Sequence, residues 1–400
     1  MFLPTVAFFS PIAGESLVNR ILDRLDGVDF VVRSEKDLDA VGSIEKSRAI
    51  LFVGTGGTEQ LVASFMERVA LESTILLAHT GNNSLPAAME VRAYLEQHGV
   101  DSEIRQVSMD ELGDTVQVFN HYEEVFKDLQ DKRIGVIGTP SPWLIASQVN
   151  RKAVERKWGI EIVDVPFSKL KTVEPVGEDS LDTLEIMPNS TKVKDSELRS
   201  AYEIAYSLLA LVKKENLDAL TLECFRLVET TNVTGCLGLA ALNSLGIPAG
   251  CEGDIPATFT MLLAKVLTGE TSFMANVVEI DKSENTLTLA HCTVPFSLVE
   301  DFDFVTHYET DKSVGIRGQF AKSDVTLLKV SGSDLSNYWV SSGVIEANLS
   351  KKEACRTQIR IRLDSPVDYF LDHSLANHHI LILGLHTKEI RAFLEHIPKS

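Results

Sequence analysis

The sequence predicts an α/β protein: two doubly wound parallel-sheet domains followed by an antiparallel, β-barrel-like C-terminal domain. Three observations lead there. Short apolar runs alternate with helical patterns over the first two-thirds of the 400 residues. From about Asn276 the texture changes to consecutive strands. Several apolar runs also open into glycine- or proline-rich turns just where a helix begins. A chain of this length has room for two to three domains, and the expected division is residues 1–130, 131–275 and 276–400.

The first strand is expected at Thr5–Phe9. The opening stretch is apolar, but it lacks a basic region, carries Pro4 and Pro11, and runs into an amphipathic segment from Glu15 to Leu25. It reads as a strand and not as a leader peptide. Further strands are expected at Phe30–Val32, Ala49–Val53, Thr74–Ala78, Asp101–Gln106, Arg133–Ile137 and Glu161–Val165. Helices fall between them, as at Thr58–Leu71, Pro86–His98 and Pro142–Lys157. For the last, Ser141 is a cap, Pro142 suits the first turn and Gly159 is a stop. This alternation implies parallel sheets covered on both faces, of the flavodoxin or Rossmann type.

In the last third, strands are expected at Val277–Asp281, Thr286–Ala290, Phe304–Glu309, Val314–Gly318, Val325–Ser331, Val340–Ala347 and Thr357–Leu363. The final one alternates cleanly, with Ile359, Ile361 and Leu363 on one face and Gln358, Arg360 and Arg362 on the other. A helix at about Val367–Leu375 and a strand at His379–Leu383 close the domain. Such a series implies an antiparallel barrel or sandwich.

Charge excludes several functions. The 38 basic and 57 acidic side chains leave a net charge of −19, a field that repels nucleic-acid backbones and anionic lipid. No apolar run approaches the ~20 residues of a membrane span. The five cysteines form no C-x-x-C pair, which argues against a disulfide framework and a structural zinc knuckle. A cytoplasmic protein is expected.

The chemistry is concentrated at strand ends. Phe52-Val-Gly-Thr-Gly-Gly-Thr58, His79-Thr-Gly-Asn-Asn-Ser-Leu-Pro86 and Gly138-Thr-Pro-Ser-Pro-Trp143 are strand-to-helix turns, and they make Asn83 and Trp143 candidates for binding a polar ligand. For each turn alone, turn chemistry and helix capping are the favoured reading; their shared position at the carboxyl ends of parallel strands is what points to a common cleft. Leu217–Phe225 reads as a buried strand with Glu223 near its carboxyl end. The strand Ile247–Cys251 ends in Glu252-Gly-Asp254 before a helix at Pro256–Leu267. A carboxylate at an apolar strand end is costly unless it is paired or holds a metal. Asp254 is also well placed as a helix cap, and Glu252 as a solvated side chain. His291, His378 and His379 sit beside strands and extend the set toward a divalent cation. Arg317 and Arg356 are candidates for polar substrate groups, with surface ion pairs as the alternative. No dense Lys/Arg cluster marks a phosphate pocket.

Ala249-Gly-Cys-Glu-Gly-Asp-Ile255, followed by Thr260–Gly269, resembles the metal-site segment of the L-fucose isomerase and L-arabinose isomerase superfamily. The ending Ala376-Asn-His-His-Ile-Leu-Ile-Leu-Gly384 resembles the segment bearing that family's late metal-binding histidine, with Asn377 beside it as a substrate-binding candidate. The resemblance implies Glu223, Asp254 and His378 as metal ligands, His291 as an additional ligand and Glu252 as a rival to Asp254. It also implies Mn²⁺, or another divalent cation such as Mg²⁺ or Co²⁺, and a homo-oligomer, trimeric or hexameric. The chain is shorter than the fucose isomerases, so the sugar is not carried over. The expected activity is aldose–ketose isomerisation of a free sugar through a cis-enediol, with Glu223 and Asp254 exchanging the roles of general base and acid. A metal-dependent aldolase, epimerase or lyase, or a non-catalytic sugar-binding protein, are the alternatives.

Overall fold

The computed structural model describes residues 3–25, 27–41, 44, 48–171 and 186–397. The chain forms two compact units, Met1–Lys127 with Glu395–Ser400, and Asp128–Leu394.

The first unit is a doubly wound domain. Strands β1 (Thr5–Phe8), β2 (Phe30–Val32), β3 (Arg48–Val53), β4 (Ser73–His79) and β5 (Asp101–Val107) form one parallel sheet in the order β2-β1-β3-β4-β5. That is the flavodoxin-like strand order. Its helices are α1 (Glu15–Leu22), α2 (Glu59–Arg68), α3 (Ser84–Gln97) and α4 (Leu112–Leu129). Val6, Phe8, Leu51, Phe65 and Leu76 are buried in the core between sheet and helices. Continuous apolar strands such as Ile50–Val53 suit a sheet covered on both faces.

The second unit contains a parallel sheet and a barrel. Strands β6 (Arg133–Ile137), β7 (Glu161–Val165), β9 (Ala219–Leu222) and β10 (Ala249–Cys251) pair in the order β10-β9-β6-β7, all parallel. Between them run α5 (Arg151–Trp158), the short β8 (Ser190–Thr191), α6 (Asp195–Glu215), α7 (Cys224–Thr231) and α8 (Cys236–Ser244). Helix α9 (Ile255–Thr268) follows β10. Strands β11 (Ser272–Asp281), β12 (Thr286–His291), β15 (Asp324–Ser331), β16 (Asn337–Asn348), β17 (Thr357–Leu363) and β18 (His379–Leu383) close a barrel in the order β11-β12-β17-β16-β15-β18. Closure leaves no free edge, since β18 pairs with both β11 and β15.

The α/β class, the two parallel sheets and the barrel expected from the sequence are all present. Four local expectations change. Helix α5 begins at Arg151, not at Pro142, because the Asn150 side chain accepts the Ala153 N–H and caps the helix there. Residues 139–150 are therefore turns. The strand expected to reach Phe225 ends at Leu222, and Cys224 already opens α7. Strands β13 (Asp301–Val305) and β14 (Gly315–Gln319) pair with β8 in a separate three-stranded sheet outside the barrel. The closing helix shrinks to α10 (Tyr369–Asp372), and α11 (Thr387–His396) follows β18.

Helix α9 joins the two parts of this unit. Its sequence, IPATFTMLLAKVLT, is apolar on nearly every face, which suits a helix buried all round. It packs against β9 and β10 on one side and against β11, β15 and β18 on the other. Phe259 is fully buried and meets Trp158 edge to face, with centroids 4.8 Å apart. Phe259→Ala is expected to destabilise the protein by about 3–5 kcal/mol, read from chemical denaturation. A loss under about 1 kcal/mol would show that α9 is not the packed centre of this unit.

Candidate functional site

The parallel register Leu222↔Cys251 places the next residues, Glu223 and Glu252, at the carboxyl ends of neighbouring strands β9 and β10. The chain then turns sharply: Glu252 has φ +61° and Gly253 φ +70°. A left-handed glutamate is uncommon and costs free energy, so the surrounding bonds must hold it. They do. The Ser141 N–H donates to the Glu252 carbonyl at 2.8 Å. The Trp143 indole N–H donates to Glu252 Oε2 at 2.6 Å, while the ring meets Phe225 edge to face. A side chain at Gly253 would collide with Pro140, its Cβ lying 2.6 Å from that Cα.

The barrel brings two histidines to the same place. His291 ends β12 and His378 precedes β18; both are buried, with ring centroids 5.9 Å apart. Glu252, His291 and His378 each offer a ligand atom within 4.8 Å of the others. His291 engages the Thr293 hydroxyl through Nδ1 at 2.8 Å. His378 donates its Nδ1–H to Asp254 Oδ2 at 2.9 Å. Its Nε2 is buried, has no hydrogen-bond partner and lies 3.6 Å from Glu252 Oε1. An orphaned imidazole nitrogen facing a carboxylate and a second imidazole is the donor set of a divalent cation. The group is consistent with a divalent cation; of the ligands that the resemblance implies it contains His378 and the additional His291, with the rival Glu252 in place of Asp254.

Asp254 stands outside that group. Its Oδ1 accepts the Ala257 N–H and caps α9, as the capping alternative anticipated, and its Oδ2 holds His378. Lys329, buried within β15, has its Nζ 3.9 Å from the same Oδ2 and makes no hydrogen bond among the described residues. Asp254, His378 and the candidate cation-binding group thus form a chain in which the aspartate orients the histidine. Glu223 also lies outside the group: its Oε2 accepts the Thr139 N–H at 2.9 Å and approaches Arg226 at 3.4 Å. Gly138 is required beside it, with φ +88° and a Cβ that would sit 2.2 Å from Glu223 Oε2.

The remaining candidates divide. Trp143 joins the site through Glu252. Asn377 donates to Asn276, which lines the pocket in front of Glu252 and His291. Arg317 is paired with Asp303, and Arg356 with the Thr306 carbonyl and Asp311, so the ion-pair alternative describes both. Asn83 belongs to the first unit, preceding α3 with φ 55°. Sequence reasoning missed Lys329, for which one signal existed: a lone lysine in an otherwise apolar strand. It also missed His307 and Glu309, which line the same pocket.

Electrostatics separate the two histidines. Burial pushes His291 down to about 3, helped by the neighbouring His378, so it is neutral. Burial opposes charge on His378 as well, but Asp254 and Glu252 outweigh it and raise the value to about 9. Burial would raise Asp254, yet Lys329 and His378 bring it down to about 2. Burial would raise Glu252 too, yet His378, the hydrogen bond from Trp143 and the neighbouring His291 hold it below the usual range. In chelator-treated protein, the stabilisation from His378 is therefore full below its ordinary 6.5 and lost as pH rises through about 9. That from Asp254 is full above 3.8 and lost as pH falls through about 2. The unfolding midpoint is expected to fall on the alkaline side, and His378→Asn to flatten that fall; an identical alkaline profile in the variant would contradict the assignment.

No protein-family model matches the chain. It is similar to curated proteins named sulfoquinovose isomerase. The one from Priestia aryabhattai is 23% identical over 177 residues, 42% of this chain and 39% of that protein. The one from Alkalicoccus urumqiensis is 22% identical over 283 residues, 67% of this chain and 64% of the relative. A Clostridium sp. (strain MSTE9) protein is 31% identical over 116 residues, 29% of this chain and 25% of that one. The chain thus spans less than two thirds of the length of these relatives. At this low identity the chain is a relative of proteins named as sugar isomerases, in agreement with the L-fucose isomerase and L-arabinose isomerase superfamily that its motifs resemble.

Proposed function

We propose that the protein is a metal-dependent aldose–ketose isomerase acting on a free sugar through a cis-enediol. The observation that carries this is the buried, unpartnered Nε2 of His378 facing Glu252 and His291 at the carboxyl edge of the parallel sheet. Glu252, His291 and His378 would hold the cation, and two imidazoles with a carboxylate favour Mn²⁺ over Mg²⁺. When bound, a divalent cation polarises the sugar carbonyl and offsets negative charge in the enediol.

The proton is moved by the chain's own groups. Glu223 is the base we assign, because its carboxylate sits one residue past the paired strand ends and keeps one oxygen without a protein partner among the described residues. Asp254 is unsuited to that role, with both oxygens engaged and almost no exposure. Its part is to orient His378. Trp143, half-exposed beside Glu252, offers an apolar face to the sugar ring. Among the described residues no helix is long and apolar enough to cross a membrane, and a cytoplasmic homo-oligomer is part of the same proposal.

Sulfoquinovose and a panel of unphosphorylated aldoses, incubated with Mn²⁺ in D₂O and followed by NMR, test the reaction. Interconversion of aldose and ketose with deuterium at C1 or C2 is expected; cleavage or epimerisation products would replace isomerase by an aldolase or epimerase. Glu223→Gln should lower kcat by a factor of about 10² or more without changing bound Mn²⁺. His378→Asn and Glu252→Gln should lose the metal itself, measured by elemental analysis. Binding of a sugar without turnover, in protein without activating cation, would leave a sugar-binding protein.

A further inference from the structure

All five cysteines of the chain line one pocket, the one in front of Glu252 and His291. None is in a disulfide. Two of them are in direct contact: the Cys251 thiol donates to Cys224 Sγ at 2.9 Å. A covalent S–S bond is about 2.05 Å, so less than about 1 Å of movement separates the thiols from a bond. Their backbones are already fixed. Cys251 ends β10 in register with Leu222, and Cys224 opens the helix that follows the neighbouring strand. Each cysteine also adjoins a glutamate of the strand-end pair: Cys224 follows Glu223, and Cys251 precedes Glu252. Both are nearly buried, at 8% and 5% exposure, and both line the pocket.

We propose that Cys224 and Cys251 are an oxidation site, closed to a disulfide by hydrogen peroxide or a small hydroperoxide. One thiol gives its sulfur electron pair to a peroxide oxygen, breaking the O–O bond and forming a sulfenic acid and water, or the alcohol when the oxidant is a hydroperoxide. The second thiol attacks that sulfur, forming the S–S bond and expelling the hydroxyl as a second water. Two thiols lose two electrons and two protons, and one hydrogen peroxide is reduced to two waters, or one hydroperoxide to its alcohol and one water. Closure pulls on the peptide of Glu252, a residue held at φ +61° by the bonds of Trp143 and Ser141. Oxidation therefore weakens cation binding; this consequence rests on the metal site proposed above, whereas formation of the bond does not.

The test uses the full chain, treated with hydrogen peroxide in the presence of a chelator. Free thiols counted after denaturation should fall by two of the five, with reversal by dithiothreitol, and non-reducing peptide mapping should join the peptides of Cys224 and Cys251. Cys251→Ser should lose that crosslink. All five thiols remaining free, a bond between Cys292 and Cys355 instead, or irreversible sulfinic acid would overturn the oxidation site. Calorimetry with Mn²⁺ should show affinity reduced about tenfold or more in the oxidised protein and restored by reductant. A mapped disulfide with unchanged Mn²⁺ affinity would overturn the coupling alone; absence of Mn²⁺ binding to the reduced protein would overturn the metal site and leave the crosslink result standing.

Discussion

The second unit depends on one buried carboxylate. Asp254 is removed from water, and an isolated charge there would be prohibitively costly. It survives because every approach is met: the first turn of α9 on one oxygen, the imidazole of His378 on the other, and the ammonium of Lys329 close by. These partners come from a helix, the segment before one barrel strand and the middle of another. A single side chain thus fixes the end of β10, the start of α9 and the start of β18 relative to one another. Truncating it would leave a buried lysine and a buried imidazole without their counter-charge, a larger penalty than the loss of one hydrogen bond.

Around that anchor the two sheet types divide the work. The parallel sheet ends in carboxylates, because the turn after each strand delivers the next side chain to the crevice. The barrel supplies the imidazoles, and Asp254 and Thr293 each hold one of them by Nδ1. Two imidazoles 5.9 Å apart in a dry setting do not both carry charge, and the carboxylates decide which one does. His378 takes the proton because Asp254 and Glu252 both face it.

Much of this was legible from residues alone. Strand positions in both parallel sheets followed from short apolar runs, and the barrel followed from alternation such as that of Thr357–Leu363. The strand-end carboxylates and both histidines were recognised. What local pattern did not decide was which acid faces which side of the imidazoles, because a sequence spacing of two between Glu252 and Asp254 carries no sign of a reversal in backbone hand. With Glu252 in that reversed hand, its carboxylate lies near His378 Nε2 and His291, while Asp254 caps the helix and takes His378 Nδ1. Similarly, Ser141 and Pro142 have the chemistry of a helix start, yet Asn150 performs it. Lys329 was passed over because its partner lies 75 positions away in the chain, beyond the reach of any local rule.

The displaced helix start has a wider consequence. Had α5 begun at Pro142, the segment above Glu252 would have been rigid and committed to helical spacing. Ending the cap at Asn150 leaves a dozen residues that answer to no ladder of repeating hydrogen bonds, and Trp143 hangs from them. Their length and composition are thus decoupled from the architecture below. A lineage built on this scaffold has room to reshape the roof over its ligand, by exchange or insertion, while the acids and imidazoles underneath stay where they are.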